Sequence, residues 1–284
     1  MRTMGAPTRV RVRVPHNVSN VLSAPSRAAV AEAPFVPSVP IFPPAWGAEV
    51  VSSNIVGYQK VTLASQFTLI GSQFLNVGTG VKDLQEFVTD STMPGLDADN
   101  NYAFQTEIRL WDGYNYDTYG WDPDGDPNTP NSDHKWVDDY LNVIENVSMG
   151  VGTAAWIKVP ASTEATLTVS GEVPEGTTTS VAIHSGFNLL SNPFPVATDI
   201  QSIQPSAEIP GLDAENNYAF QTEIRVWDGY NYDTYGWDPD GDPNVPNSDH
   251  KWVDDYLNVV NVTIPMGHGF WIKTTENGSV TFSK

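Results

Sequence analysis

The sequence predicts an all-β protein of two tandem antiparallel modules, each a sandwich or barrel, preceded by an extended arm. Three observations carry this expectation. The block Pro94 to Val143 recurs as Pro210 to Val259 with three differing pairs, Asp99/Glu215, Leu110/Val226 and Thr129/Val245. The apolar share rests on Trp, Tyr, Phe, Val and Ile beside 22 glycines and 22 prolines, which is sheet-and-turn composition. Short alternating segments, separated by turn residues every ~8–12 positions, fit antiparallel sandwiches and barrels. A repeat period above ~100 residues is too long for a solenoid, so each copy reads as a small domain, 50–173 and 174–284.

Residues 1–49 contain eight prolines, five arginines and only two acids, Glu32 and Glu49. This composition predicts an extended or disordered arm. Within it, Arg9-Val10-Arg11-Val12-Arg13-Val14 alternates strictly and is stopped by Pro15, so Arg9, Arg11 and Arg13 would line one face of a strand. The arm is read either as a segment removed on export, with Ala45-Trp46-Gly47 before the cut, or as a strand that pairs with an acidic neighbour. A mis-assigned start is the third reading. The formal charge of the chain is −20, and residues 50–284 carry 9 basic against 32 acidic side chains. Such a body repels nucleic acid and attracts divalent cations or basic partners. No apolar run approaches the ~18 residues of a membrane helix. There is no cysteine, which excludes disulfides and thiolate metal sites.

Each module opens with two strands, Tyr58 to Leu63 and Phe67 to Gly71 in the first, Thr179 to His184 and Phe187 to Ser191 in the second; they are read as hairpins. The duplicated block follows. Asp112-Gly113 between Glu107-to-Trp111 and Tyr114-to-Gly120, with its copy at Asp228-Gly229, predicts a tight type I′ hairpin. Each module then closes on a Gly-rich turn and a Trp-Ile-Lys strand. Met149-Gly150-Val151-Gly152 leads to Trp156, and Met266-Gly267-His268-Gly269 leads to Trp271. A last strand follows, Ala165 to Ser170 or Ser279 to Ser283.

Ser185-Gly-Phe-Asn-Leu-Leu-Ser-Asn-Pro-Phe-Pro195 together with Met266-Gly-His-Gly-Phe-Trp-Ile-Lys273 resembles the "GWNLIGNPYP … GxGFWVK" modules of large secreted bacterial proteins. Module one departs from the pattern: Phe67 to Phe74 lacks the proline, and Ala154-Ala155 precedes Trp156. The resemblance implies export and a β-rich fold, and it transfers no catalytic residue.

The sharpest chemical pattern is Trp121-Asp122-Pro123-Asp124-Gly125-Asp126-Pro127-Asn128, continuing to Asp133. Carboxylates at i, i+2 and i+4 with a turn-forming glycine can converge on calcium, which takes six to eight oxygens at flexible geometry. The expected ligands are Asp122, Asp124, Asp126, Asn128 and Asp133, and in the copy Asp238, Asp240, Asp242, Asn244 and Asp249. Pro127 stands where an EF-hand needs glycine, so that particular loop is excluded. The alternative is a solvated acidic turn. Asp97-Ala98-Asp99 and Asp213-Ala214-Glu215 read as polar turns. Tyr119, Trp121 and Trp136, with copies Tyr235, Trp237 and Trp252, are candidates for stacking on sugar rings; the alternative is that they fill small β cores.

Catalytic templates fit badly. Asp117-Thr118-Tyr119 lacks the glycine of an Asp-Thr-Gly protease motif, and His134 and His250 have no paired ligand spacing. The functional expectation is a non-enzymatic protein of the cell surface or exterior, of bacterial type. It would act by calcium-stabilised binding or self-assembly, with neighbouring surface proteins as partners. A calcium-dependent carbohydrate-binding module is the alternative, and an enzyme of unrecognised mechanism the third reading.

Overall fold

Alternation and turn chemistry produce seven principal strands in each module of the computed structural model. It describes residues 56–63, 66–75, 82–89, 93–97, 103–125, 133–161, 165–216, 218–241 and 249–284. In module one these are β1 (Val56–Leu63), β2 (Gln66–Gly71), β3 (Glu107–Trp111), β4 (Tyr116–Asp122), β5 (Lys135–Val137), β6 (Ala154–Val159) and β7 (Ala165–Glu172). In module two they are β8 (Thr178–Ile183), β9 (Gly186–Ser191), β10 (Glu223–Trp227), β11 (Tyr232–Asp238), β12 (Lys251–Val253), β13 (Gly269–Thr274) and β14 (Gly278–Ser283). The fold is all-β with antiparallel pairing throughout the described sheets. No helix among the described residues is long and apolar enough to cross a membrane.

Each module stacks two sheets. The larger has the order β2-β6-β3-β4-β5 in module one and β9-β13-β10-β11-β12 in module two. The smaller is β1-β7 with Val88–Thr89, repeated as β8-β14 with Gln204–Pro205. Val61, Leu63, Leu167 and Val169 of the small sheet meet Ile70, Ile108, Ile157, Trp121 and Trp136 of the large one in the first core. The second core repeats this with Val280 and Phe282 facing Ile224, Ile272, Trp237 and Trp252. Burial of such side chains at about 25 cal/mol per Å² is the main force closing each sandwich.

The opening strands are not hairpins. β1 pairs with β7, whereas β2 pairs with β6, so the chain passes from one sheet to the other between Leu63 and Gln66. Module two does the same with β8 on β14 and β9 on β13. The physical reason is packing: β1 alternates between buried and exposed residues, while β2 is buried at four consecutive positions. A strand buried on both faces must lie inside a stack, not beside its partner on a half-wet sheet.

The Asp-Gly hairpin forms, but through a four-residue loop rather than a two-residue type I′ turn. Trp111 pairs with Tyr116, and Asp112 N–H donates to the Asn115 carbonyl at 3.0 Å. Only Gly113 takes the left-handed backbone, at φ +109. Asp112 uses its side chain instead: Oδ1 accepts from the N–H groups of Tyr114 (2.7 Å) and Asn115 (2.6 Å). The Gly-rich turns also match in a different register. Ser148–Met149 pairs with Lys82–Asp83 and Thr263–Ile264 pairs with Thr198–Asp199, so Met149 corresponds to Ile264. Gly152 (φ +86) and Gly267 (φ +78) are then equivalent, because the turn demands positive φ at that position whatever the surrounding letters.

A glutamine outside the duplicated block holds each hairpin base. Gln201 Nε2 donates to the carbonyls of Trp252 and Val260, both at 2.8 Å, and its Oε1 accepts from Trp252 N–H at 3.1 Å. Gln85 makes the same three bonds to Trp136 and Ile144. Substitution Gln201→Leu keeps the volume and removes three hydrogen bonds, leaving the Trp252 carbonyl only its bond from Val260 N–H at 3.3 Å. The expected loss is about 1–3 kcal/mol in a urea unfolding curve; an unchanged midpoint would show that water replaces the amide.

Candidate functional site: the aromatic seam and the acidic loops

In each large sheet the face turned away from its own core is also apolar. β6 runs Ala154-Ala155-Trp156-Ile157-Lys158-Val159; Ala155, Ile157 and Val159 point into core one, leaving Ala154 and Trp156 on the opposite face. There they meet Leu189 and Trp271 of module two, joined by Leu69 and rimmed by Phe67, Trp111, Phe187 and Trp227. The two large sheets thus pack outer face on outer face, and Val51–Lys284 forms one compact unit.

The seam has approximate two-fold symmetry. Gly71 N–H donates to the Gly267 carbonyl and Ser191 N–H to the Gly152 carbonyl, both at 2.8 Å. Thr153 bridges to Leu190, Ser191 Oγ donates to the Thr153 carbonyl at 2.8 Å, and Gln59 Nε2 donates to the Met266 carbonyl at 2.7 Å. Trp156 meets Trp227 edge-to-face at 5.6 Å, and Trp111 meets Trp271 in the same way at 5.4 Å. Trp271 Nε1 donates to Tyr232 Oη at 3.0 Å. Desolvation raises the hydroxyl pKa of both Tyr116 and Tyr232. Each edge-to-face pair adds roughly 0.5–1.5 kcal/mol beyond area burial.

Charged groups flank the rings in mirrored sets. Glu107 is 7 % exposed and takes Arg109, through Nε at 2.8 Å and through NH2, with Lys158 at 3.5 Å. The Arg109 guanidinium lies over Phe67 at 4.9 Å from the ring centroid. Glu223, Arg225, Lys273 and Phe187 repeat this arrangement. A cavity of about 240 Å³ opens on the seam, lined by Phe67, Arg109, Tyr116, Trp156, Trp227 and Tyr232.

The side chains read from the sequence as sugar platforms or as core filling lie away from the seam, and the tryptophans among them fill the cores. Trp121, Trp136, Trp237 and Trp252 are at most 3 % exposed and stack in pairs within the two cores, and Tyr119 and Tyr235 are only partly exposed. Strand alternation puts these rings on the core-facing side of the sheet, so they offer no face to a sugar. The most exposed rings among the described residues of the duplicated block are Tyr114 and Tyr230 (83 and 87 %) and Tyr140 and Tyr256 (86 and 85 %), all on loops.

The acidic segment is the connection between β4 and β5. Asp122 pairs with Lys135, and His134 N–H donates to the Pro123 carbonyl at 3.3 Å, so Asp133 returns to the side of the loop where Asp122 and Asp124 stand. Asp122 Oδ1 accepts from Asp124 N–H (3.2 Å) and Gly125 N–H (2.9 Å), and Asp133 Oδ2 contacts His134 Nδ1 at 3.3 Å. Asp238, Asp240 and Asp249 reproduce these bonds. Asp126, Asn128, Asp242 and Asn244 lie outside the described residues, as do Arg9, Arg11 and Arg13. Among the described residues, no three carboxylate or imidazole groups converge as a metal site.

Other aspartates pin the exposed loops. Asp254 Oδ1 accepts from Tyr256 N–H and Asn258 N–H, both at 2.9 Å, and Asp138 does the same for Tyr140 and Asn142. The bond from Asn258 N–H, with that from its side chain, holds the Asp254 carboxyl below its usual range. The landmark asparagines have structural partners too. Asn188 bonds His184 at both ends of its amide, and Asn192 takes Phe194 N–H and donates to Thr198 Oγ1.

Comparison with family models, with curated proteins and with solved structures finds no match.

Three expectations follow from this geometry. Trp156→Ala removes contacts to Phe67, Trp227 and Tyr232 and should cost about 3–5 kcal/mol. A protease site placed within residues 173–177 and then cut should leave the halves co-eluting on a sizing column, whereas separation of the wild-type halves would show the seam to be weak. For Asp254 the folded-state pKa is depressed, so its contribution is present above the unfolded carboxylate value of about 4 and is lost as pH falls through the lower folded value. Amide exchange at Tyr256 and Asn258 should therefore accelerate at acid pH relative to the sheet, and Asp254→Ala should show that acceleration already at neutral pH.

Proposed function

We propose that this chain is a non-enzymatic protein of the bacterial cell exterior that works by binding or self-assembly, as a rigid element of a layer or filament stabilised by calcium. The observation that carries the reading is the seam: it holds two copies of one loop set at a fixed mutual geometry. A unit presenting Tyr114 and Tyr140 once, and Tyr230 and Tyr256 again, can make the same contact twice without ordering a linker each time. The resemblance of residues 185–195 and 266–273 to secreted modules supports an exterior location. Calcium would act at the loop between β4 and β5, and at its copy, where Asp122, Asp124 and Asp133 supply carboxylates and Asp126 and Asn128 further oxygens. The basic Arg9-to-Val14 strand pattern suits an acidic neighbour, which it would join by strand addition.

A second reading, glycan binding, is favoured by the exposed loop tyrosines, since rigid aromatic tips beside Asp and Asn suit contact with sugar rings.

Thermal melting and light scattering test the first reading. Calcium at a hundredfold excess over its dissociation constant should stabilise the fold by about 2.7 kcal/mol, and a chelator should reverse this. Removal of residues 1–49 should reduce assembly. An identical melting curve with chelator, together with equal assembly of the truncated chain, would defeat the proposal; a glycan array positive only through the loop tyrosines would establish the second reading.

A further inference from the structure

The seam cavity breaks the two-fold pattern. On the opposite side Trp111 Nε1 donates to the Phe187 carbonyl at 2.8 Å and draws the modules together. The equivalent Trp227 Nε1 is buried with no acceptor, and the cavity lies beside that indole. The ring planes around the cavity stand nearly at right angles: Phe67 to Trp156 at 82°, Trp156 to Trp227 at 86° and Trp156 to Tyr232 at 78°. Trp227 and Tyr232 meet at 57°, so the open cavity is bordered by rings set in several directions rather than by one flat platform. A flat sugar ring engages one broad face, whereas a compact, rounded group touches several rings at once.

The polar inventory narrows the occupant further. The lining polar groups are few: Tyr232 Oη already accepts from Trp271 Nε1, the Tyr116 hydroxyl is hydrogen-bonded by Trp156, Trp227 Nε1 has no acceptor among the described residues, and Arg109 is the charged member. A hydroxyl-rich ligand would leave most of its hydrogen bonds unmade. A quaternary ammonium has no N–H to satisfy, and electron-rich ring faces attract its charge. Glu107 faces two cations, Arg109 and Lys158, so the rim is net positive against the strongly acidic body. A bare cation is repelled there; a ligand with an anionic group close to its ammonium is not.

We propose that this cavity binds a zwitterionic trimethylammonium compound, its methyl groups among Trp156, Trp227, Tyr116 and Tyr232 and its acidic group against Arg109. The site stands independently of calcium and of assembly. The shared chemistry has two sources, a free betaine and a phosphocholine headgroup.

Titration of the full chain with glycine betaine and with soluble phosphocholine, followed by calorimetry and tryptophan fluorescence, tests it. Saturable binding of either is expected, with at least a tenfold weaker response to the tert-butyl carbon isostere of betaine, which keeps shape and carboxylate but lacks the ammonium. Tetramethylammonium, which lacks the acid, should also bind at least tenfold more weakly. Capture by phosphatidylcholine vesicles but not by phosphatidylglycerol vesicles would assign a headgroup; saturation by soluble zwitterions without vesicle capture would assign a free solute. Arg109→Lys, which retains the charge on Glu107 but loses the planar fork, should weaken both zwitterions about tenfold. Absence of saturable binding by both zwitterions, or equal binding of the carbon isostere, overturns the proposal whatever the variant does.

Discussion

Each large sheet has two apolar faces and a single core of its own in which to bury one of them. The second face can leave water only against an equivalent surface, and the other module supplies it. Leu69, Ala154 and Trp156 against Leu189 and Trp271 are the consequence. Backbone bonds from Gly71 and Ser191 to the opposite glycine turns then add direction to what burial alone leaves loose. Without this contact the rims bearing Arg109 and Arg225 would be surface features, and no cavity would exist between the modules.

The acidic character of the body has a partly architectural origin. Asp112, Asp122, Asp138, Asp228, Asp238 and Asp254 each accept backbone N–H groups two to four residues ahead. These bonds replace hydrogen bonds that a loop cannot form with a neighbouring strand. The loops that display Tyr114 and Tyr140 are held by these bonds, and the same carboxylates contribute to the surface charge. Local structure, electrostatics and display of the tyrosines are therefore one property of the duplicated block, repeated at Tyr230 and Tyr256.

Much of the fold was legible in the chain. Alternation located β1, β3, β7 and their copies, and the Asp-Gly dipeptide located the β3-β4 hairpin, although Asp112 closes it with its side chain and not with a positive φ. The position of the acidic loops was legible as well, because turn residues and carboxylates act within a few positions of one another. The aromatic seam was not. A hint lay in the consecutive apolar residues of Phe67-Thr68-Leu69-Ile70 and Ala154 to Ile157, which require burial on both faces. Trp121 and Trp136 could be read as core or as exposed platforms, since a period of two distinguishes faces without saying which one meets water.

Composition and the internal repeat were enough to determine the β class, two copies of one module and the chemistry of their loops, because all of these depend on neighbours in sequence. Which strands share a sheet, which tryptophans are wet, and that the two copies lock through their outer faces were decided only in three dimensions. Those outcomes depend on contacts between segments far apart in the chain, such as Trp111 with Phe187 and Gly71 with Gly267, whose free energy comes from excluding water between surfaces that no local pattern identifies as partners.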